Sequence, residues 1–499
     1  MSLTPDLQAI AKQIMMQYGF EPDFPPPIAQ QLAELKANPP KAAPGPDVRD
    51  LRNLLWSSID NDTSRDLDQI EFAERTPGGQ IKVMIGIADV DAYVPKDSPI
   101  DKHAAIETTT VYTGVRIFPM LPMELSTGAT SLLEDADKLS VVAEYAVSAD
   151  GSVNSSSVYR ATVRNKAQLT YRAVGAWLDG TAAPPPKVAA SADLQAQLKL
   201  QDEAAQALRK RRYDQGALDI DTQEVRAVML NDQVVDVETQ DKNRATELIE
   251  DFMIAANGVV ARMLEQVSSL RRIVKTPERW DRIVQLAAGL GGKLPADPDS
   301  KALNDFLVQR RKIDPDHFAD LSLSVIKLIG PGEYVLERPG ETPQGHFGLA
   351  VQDYTHSTAP NRRFADLVTQ RLIKSLISKA TVAKGTISKG TTGNTPSPYT
   401  DAELEAIAAN CTTKGDAERK VERQMSKRMA AIAMARRIGE TFDAIVTGVT
   451  PKGTFVRVMQ PHVEGLLAEG GNGLDVGDKL RVKLTRTDVQ RGYIDFARV

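Results

Sequence analysis

The feature that most constrains this chain is the acidic run Asp60-Asn61-Asp62-Thr63-Ser64-Arg65-Asp66-Leu67-Asp68-Gln69-Ile70-Glu71. Four aspartates crowd between positions 60 and 68, and carboxylates that close repel one another unless something positive sits among them. Oxygen donors at such density are hard ligands, suited to Mg²⁺, Mn²⁺ or Ca²⁺. The run leads straight into Ile70-Glu71-Phe72-Ala73, and Ile81–Ala88 follows across Pro77-Gly78-Gly79, which is a hairpin signal. The fold must therefore carry an acidic loop at the edge of a strand pair.

A calcium loop of the EF-hand kind competes for this segment. With Asp60 at the first position, Asp62, Ser64, Asp68 and Glu71 fall where ligands belong and Leu67 on the apolar position. The sixth position, which must turn sharply, is Arg65 rather than Gly, and strands follow instead of an exiting helix. A solvated acidic loop is the bland alternative. Mg²⁺ suits phosphoryl chemistry because it keeps positions for water and phosphate oxygens, and a pair of such ions can activate water and stabilise a leaving oxygen. No Walker-type phosphate loop occurs, so a nucleotide-triphosphate site has no support.

The chain has 499 residues, with 61 Lys+Arg against 66 Asp+Glu and a net charge of −5. That balance excludes binding of nucleic acid through bulk positive charge while leaving room for a local basic groove. The single cysteine, Cys411, excludes an internal disulfide and every multi-cysteine zinc site, and it fits a reducing cytosol. The five histidines never take the spacing of a zincin helix. Residues 1–20 lack the pattern of a signal peptide, and no uncharged apolar run reaches the ~18–20 residues of a membrane span. The expectation is a soluble cytoplasmic protein with no membrane partner.

Leu7, Ile10, Ile14, Met15 and Tyr18 repeat at helical spacing, and Ile28, Leu32 and Leu35 begin a second helix after Pro25-Pro26-Pro27. This pair reads either as a small helix-turn-helix-like unit or as a packing appendage, and Pro39–Pro46 follows as a linker. Strands are expected around Leu139–Val147 and Val153–Val163. Helices are expected over Asp193–Arg212, Arg244–Gln266, Pro277–Ala288, Lys301–Arg311, Phe364–Ser378 and Asp401–Ile438. Residues 384–400 read as a mobile surface loop. After Gly439, five short strands in roughly 60 residues suit an OB-fold barrel. Gly448–Val456, Gly465-Leu466-Leu467 and Val476-Gly477-Asp478-Lys479 resemble the RNA-binding OB module repeated in a large ribosomal small-subunit protein. Phe442, Phe455 and Tyr493 are candidate base-stacking rings, at least one of which the bland reading puts in the core.

The acidic run, Gly86–Val94, Thr110-Val111-Tyr112, Ile117–Ser126, Glu247–Asn257, His346–Leu349 with Tyr354 and Thr355, and Ala359–Leu367 occur in one order. From about Leu51 to the C-terminus the chain resembles the RNB family of exoribonucleases, the ribonuclease II and ribonuclease R type. The resemblance implies Mg²⁺-dependent 3′→5′ hydrolysis of single-stranded RNA, processively, to nucleoside 5′-monophosphates. It implies that Asp60 and Asp66 hold Mg²⁺ (with Mn²⁺ as a substitute) and that Asp68 is the essential carboxylate beside metal and attacking water. Arg362 would grip the scissile phosphate, Tyr112 would stack on the terminal base, Glu250 would contact the 3′-terminal nucleotide, and Glu422 would sit near the leaving nucleotide. Each has a plain alternative: an ordinary ion pair for Arg362, a core ring for Tyr112, a solvated side chain for the two glutamates.

Three departures from the family pattern stand in the catalytic region. Gln69 replaces a usual fourth aspartate, so a metal ligand survives without its charge, or Asp62 substitutes. Ala359-Pro360-Asn361-Arg362 replaces a Ser-Pro-Ile-Arg pattern and keeps the arginine. Ile220 stands at the second aromatic of the base clamp. Residues 1–45 are also too few and too helical for the family's N-terminal cold-shock domains, so a wider channel mouth and digestion of RNA with short 3′ overhangs are expected. The expected fold is α+β: an N-terminal helical unit and linker (1–45), an RNB-type catalytic domain (46–436) and a C-terminal OB-fold (437–499), as a monomer. Two other readings remain open: an RNA-binding protein on a decayed nuclease scaffold, and a metal-dependent endonuclease.

Overall fold

A computed structural model describes residues 6–220, 224–230, 233–240, 242–382 and 397–499. Most of the expected loop at 384–400 lies outside the described residues. The strands are β1 (Val48–Asp50), β2 (Trp56–Asp60), β3 (Gln69–Arg75), β4 (Ile81–Ala88), β5 (Val111–Tyr112), β6 (Ile117–Phe118), β7 (Asp137–Val147), β8 (Val153–Thr170), β9 (Glu224–Leu230), β10 (Gln233–Gln240), β11 (Ser269–Ile273), β12 (Glu333–Glu337) and β13 to β17 over Thr441–Thr450, Gly453–Val458, Val463–Glu469, Lys479–Asp488 and Tyr493–Arg498. The helices are α1 (Leu7–Gln17), α2 (Pro26–Ala37), α3 (Pro99–Glu107), α4 (Tyr171–Leu178), α5 (Pro186–Ala189), α6 (Ala192–Asp214), α7 (Arg244–Met263), α8 (Trp280–Gly289), α9 (Ser300–Ile313), α10 (Phe318–Ile329), α11 (Phe364–Val382) and α12 (Asp401–Ala435).

The central sheet runs β1-β8-β2-β3-β4-β7, and β7 pairs again with β8. This ring closes because β8 is long: Val153–Arg164 pair with β7 and Asn165–Thr170 with β2. The β3–β4 hairpin turns on Gly79 at φ +82°, a left-handed conformation that favours glycine. Ile70, Val83, Ile85, Val142 and Val163 fill the interior beneath α7 and α11, and each buried aliphatic side chain contributes roughly 1.5–3 kcal/mol.

The two N-terminal helices pack as appendages on the catalytic body. Ala11, Ile14 and Met15 of α1 are buried against Val421 and Met425 of α12, while Ile28 of α2 joins the main core. Glu107 accepts the Glu21 amide at 2.7 Å, and Gln424 donates to the Tyr18 hydroxyl at 2.7 Å. These contacts favour the packing reading over a free helix-turn-helix unit.

The C-terminal strands close as a barrel, β13-β14-β15-β17-β16. Phe442, Val456, Leu467, Val482 and Phe496 form its core, capped by Met429 and Met434 at the end of α12. Phe442 is thus a core ring. Phe455 points outward from β14, and Tyr493 is 58 % exposed. Arg457 of β14 pairs with both oxygens of Asp320 on α10 (2.9 and 3.0 Å), fixing the barrel to the body.

Candidate active site

The acidic run bridges the end of β2 and the start of β3, with strands on both sides. No helix leaves it, so the EF-hand reading fails. Its backbone is strapped down. Leu67 donates to the Ser131 hydroxyl (2.9 Å), Ser131 donates to the Arg65 carbonyl (2.7 Å), and Ala88 donates to the Asp68 carbonyl (2.9 Å).

Asp68 lies at the bottom, 2 % exposed. Its Oδ1 accepts the Asn361 amide at 2.9 Å and its Oδ2 accepts Nε–H of Arg362 at 3.2 Å. Burial raises its proton affinity, Arg362 and the Asn361 amide pull it down and Asp66 pushes it up; the carboxyl ends at about 7. Asp60 is also shifted up, chiefly by burial, against hydrogen bonds from the Asn61 amide (2.7 Å) and Ser64 (2.9 Å) and the charge of Arg362. Arg362 holds its proton more tightly than usual because its attraction to Asp68, Tyr112, Asp60 and Asp66 outweighs the opposing cost of burial.

The loop carrying Arg362 is held from both ends. Thr110 donates to the Arg362 carbonyl (2.9 Å), Phe364 to the Thr108 carbonyl (2.8 Å) and Ala359 to Asp366 (2.8 Å). Thr130 Oγ1 lies 2.5 Å from Asn361 Oδ1 and 2.7 Å from the Leu125 carbonyl, and among the described residues Asn361 Nδ2 has no partner. One hydroxyl proton cannot serve both oxygens. Turning the Asn361 amide over lets Nδ2 donate to Thr130 while Thr130 donates to Leu125.

Tyr112, at the end of β5, is 36 % exposed. Its hydroxyl donates to Asp66 Oδ2 at 2.5 Å and its amide to Glu422 Oε1 at 3.2 Å. Asp60, Asp66, Asp68, Arg362, Tyr112 and Glu422 therefore form one connected group. Glu250 stands on α7, ion-paired with Lys242 at 3.1 Å, and among the described residues no hydrogen bond or ion pair joins it to that group. Phe455 sits on the barrel. Ile220 packs against the cluster around Trp280 and Phe306.

Gln69 is buried in β3, and Glu71 shares its strand face. Glu71 is wholly buried, neither carboxyl oxygen has a partner among the described residues, and burial together with Asp60 drives its proton affinity well up. In the sequence Glu71 stands out only as the last ligand position of the rejected calcium loop, and the main-chain role of Asn361 has no side-chain signal. Asp89 and Asp91, of the Gly86–Val94 motif, instead bind Lys374 (2.8 and 2.7 Å), and Asp91 also binds Arg371 (2.9 Å), tying α11 to the sheet.

Among the described residues no three His, Cys, Asp or Glu side chains are gathered closely enough to hold a metal ion. The donor chemistry still fits a hard cation: Asp68 and Glu71 are buried and Asp60 half-buried, and loss of water raises the proton affinity of all three carboxyls.

The RNB domain matches residues 48–379, and the RNase II-type exonuclease C-terminal S1 domain matches residues 440–499. The chain belongs to the RNB family. It is 30 % identical over 482 residues to Ribonuclease R of Thermotoga maritima, covering 90 % of this chain and 65 % of that protein. It is 28 % identical to Ribonuclease R of Escherichia coli, covering 95 % of this chain and 60 % of that one. The chain thus spans less than two thirds of the length of these two relatives. Mycoplasma genitalium RNase R with ribose-methylated single-stranded RNA shares the fold: TM-score 0.85, 22 % identity, 99 % of this chain and 78 % of that one. Yeast Ssd1, described as a pseudonuclease, also shares it, with TM-score 0.66, 17 % identity and coverage of 89 % and 52 %. Fold alone therefore does not separate an RNB nuclease from an inactive relative.

Proposed function

We propose that this RNB-family chain is a hydrolytic 3′→5′ exoribonuclease that degrades single-stranded RNA processively to nucleoside 5′-monophosphates, as a cytoplasmic monomer dependent on Mg²⁺ or Mn²⁺. The observation that carries the reading is the buried Asp68 carboxylate, held by the Asn361 amide and Nε–H of Arg362 beside Asp60, Asp66 and Tyr112. Among the described residues no helix is long and apolar enough to cross a membrane.

Asp60 and Asp66 would hold the cation with Asp68 beside it, Gln69 offering an uncharged amide oxygen. The bound cation supplies activation of water and neutralisation of phosphate charge. With Nε–H engaged by Asp68, the remaining guanidinium donors of Arg362 face the scissile phosphate and stabilise charge on the leaving oxygen. Asp68, beside the attacking water, accepts its proton. The Tyr112 ring stacks on the terminal base while its hydroxyl orients Asp66. Selection of RNA over DNA rests on hydrogen bonds to 2′-hydroxyls. One solved relative, Mycoplasma genitalium RNase R, was captured with double-stranded RNA, which favours extending the substrate class to duplexes with short 3′ overhangs.

Digestion of 5′-labelled single-stranded RNA with added Mg²⁺ tests the reading. A descending ladder with nucleoside 5′-monophosphates is expected. Internal fragments would indicate an endonuclease, and binding without cleavage a decayed scaffold.

A further inference from the structure

Arg271 and Arg272 stand side by side on β11 and meet opposite fates. Arg271 is 2 % exposed and paired, donating to Glu337 (2.7 Å) and to the Ala261 carbonyl (2.9 Å). Arg272 is half-buried, and among the described residues its guanidinium has neither a hydrogen-bond acceptor nor a carboxylate partner. Instead it lies 4.8 Å from the ring centre of Tyr334, its cross-strand neighbour. It is also pressed against Gly332, where a Cβ would come within 2.7 Å of Nη2. That cradle fixes a planar group in one orientation without neutralising it.

The surroundings are positive. Burial, together with repulsion from Arg419 and Arg363, weakens the hold of Arg272 on its proton. Tyr334 bonds to His356 Nδ1 at 2.7 Å, and His346, Tyr354 and His356 pack edge to face behind it. Both histidines are kept neutral by burial and by these arginines. His356 feels the charges of both Arg272 and Arg362, so the recess flanks the loop that carries the candidate catalytic arginine. A half-buried cation without a counter-charge is costly, whereas a phosphate satisfies charge and donors together.

We propose that Arg272 is a phosphate-binding residue of the RNA path, gripping a phosphate next to the one held by Arg362. The inference rests on the RNA-degrading reading above and deepens it. A strand phosphodiester and the monoester of a released nucleotide share this chemistry, so the test has two arms.

In an Asp68→Asn background, which prevents cleavage, fluorescence anisotropy with a labelled oligouridylate across a KCl series reads strand binding. Arg272→Gln is expected to weaken binding about tenfold and to reduce the slope of log K against log salt by about 0.7, one single-strand phosphate. Arg272→Lys should keep most of the slope. In the second arm, inhibition of the otherwise wild-type enzyme by UMP is measured; a loss confined to this arm assigns Arg272 to the released nucleotide. Gly332→Ala, which displaces the guanidinium without removing it, should reproduce the defect and serves if Arg272→Gln does not fold. Unchanged oligonucleotide affinity, salt slope and UMP inhibition in folded Arg272→Gln overturn the proposal and leave a stacking role against Tyr334. Cleavage of RNA by the wild-type chain checks the underlying reading separately.

Discussion

Replacing Asp68 with Asn should separate catalysis from stability in a pH-dependent way. In the metal-free chain the folded state holds the Asp68 proton to about 7, against an ordinary value of 3.8. Between those values the folded chain binds a proton that the unfolded chain has released. Stability from this group is therefore complete below about pH 4 and is lost as pH rises through about 7. At about 1.4 kcal/mol per unit, the loss reaches a ceiling of about 4 kcal/mol, which water entry and ions reduce. Asn removes the slope. It still accepts the Asn361 amide but gives up the charge-assisted bond from Arg362, a constant penalty of about 1.5–3 kcal/mol. Urea unfolding in EDTA, followed by tryptophan fluorescence, should show the variant gaining on wild type from about pH 4 to about pH 7 and then levelling off. RNA cleavage should be abolished throughout while RNA binding persists. A stability difference that stays flat across this range would refute the claim that Asp68 is desolvated in the folded chain.

Arg362→Ala should slow the single-turnover chemical step by about 10²–10³-fold and weaken binding of long RNA less, as read by anisotropy; normal cleavage would remove its assigned role. Tyr112→Phe keeps the ring but loses the 2.5 Å bond to Asp66, so it should raise the Mn²⁺ concentration giving half-maximal rate while leaving final product length unchanged, whereas Tyr112→Ala should lengthen the final product. Glu71→Leu removes a buried carboxyl with no partner among the described residues and should stabilise the metal-free chain by about 1–3 kcal/mol in denaturant titration. Gln69→Asp restores a charge beside Asp60 and should tighten Mn²⁺ binding measured by calorimetry.

What the sequence reveals and conceals divides along physical lines. The β3–β4 hairpin and the C-terminal barrel are legible because alternation and turn residues are local signals. The central ring is not: β8 runs to Thr170, past the expected end at Val163, and only its pairing with both β7 and β2 keeps Arg164 to Thr170 extended. β11 is hidden because Arg271-Arg272 reads as surface, yet Glu337 and the Ala261 carbonyl satisfy Arg271 inside the fold. The acidic cluster announces itself through charge density, but its partner Arg362 lies 294 residues from Asp68, and only the family resemblance joined the two before the fold was known. Asn361 contributes through its main-chain amide, which every residue but proline possesses, so no side-chain pattern could single it out. Arg272 is the sharpest case. Beside a neutralised neighbour of the same type, its charge acquires meaning only when topology withholds a counter-ion and surrounds it with other arginines. A lone charge in such a place is a question about what binds there, and in a chain of this family the answer with the right geometry is phosphate.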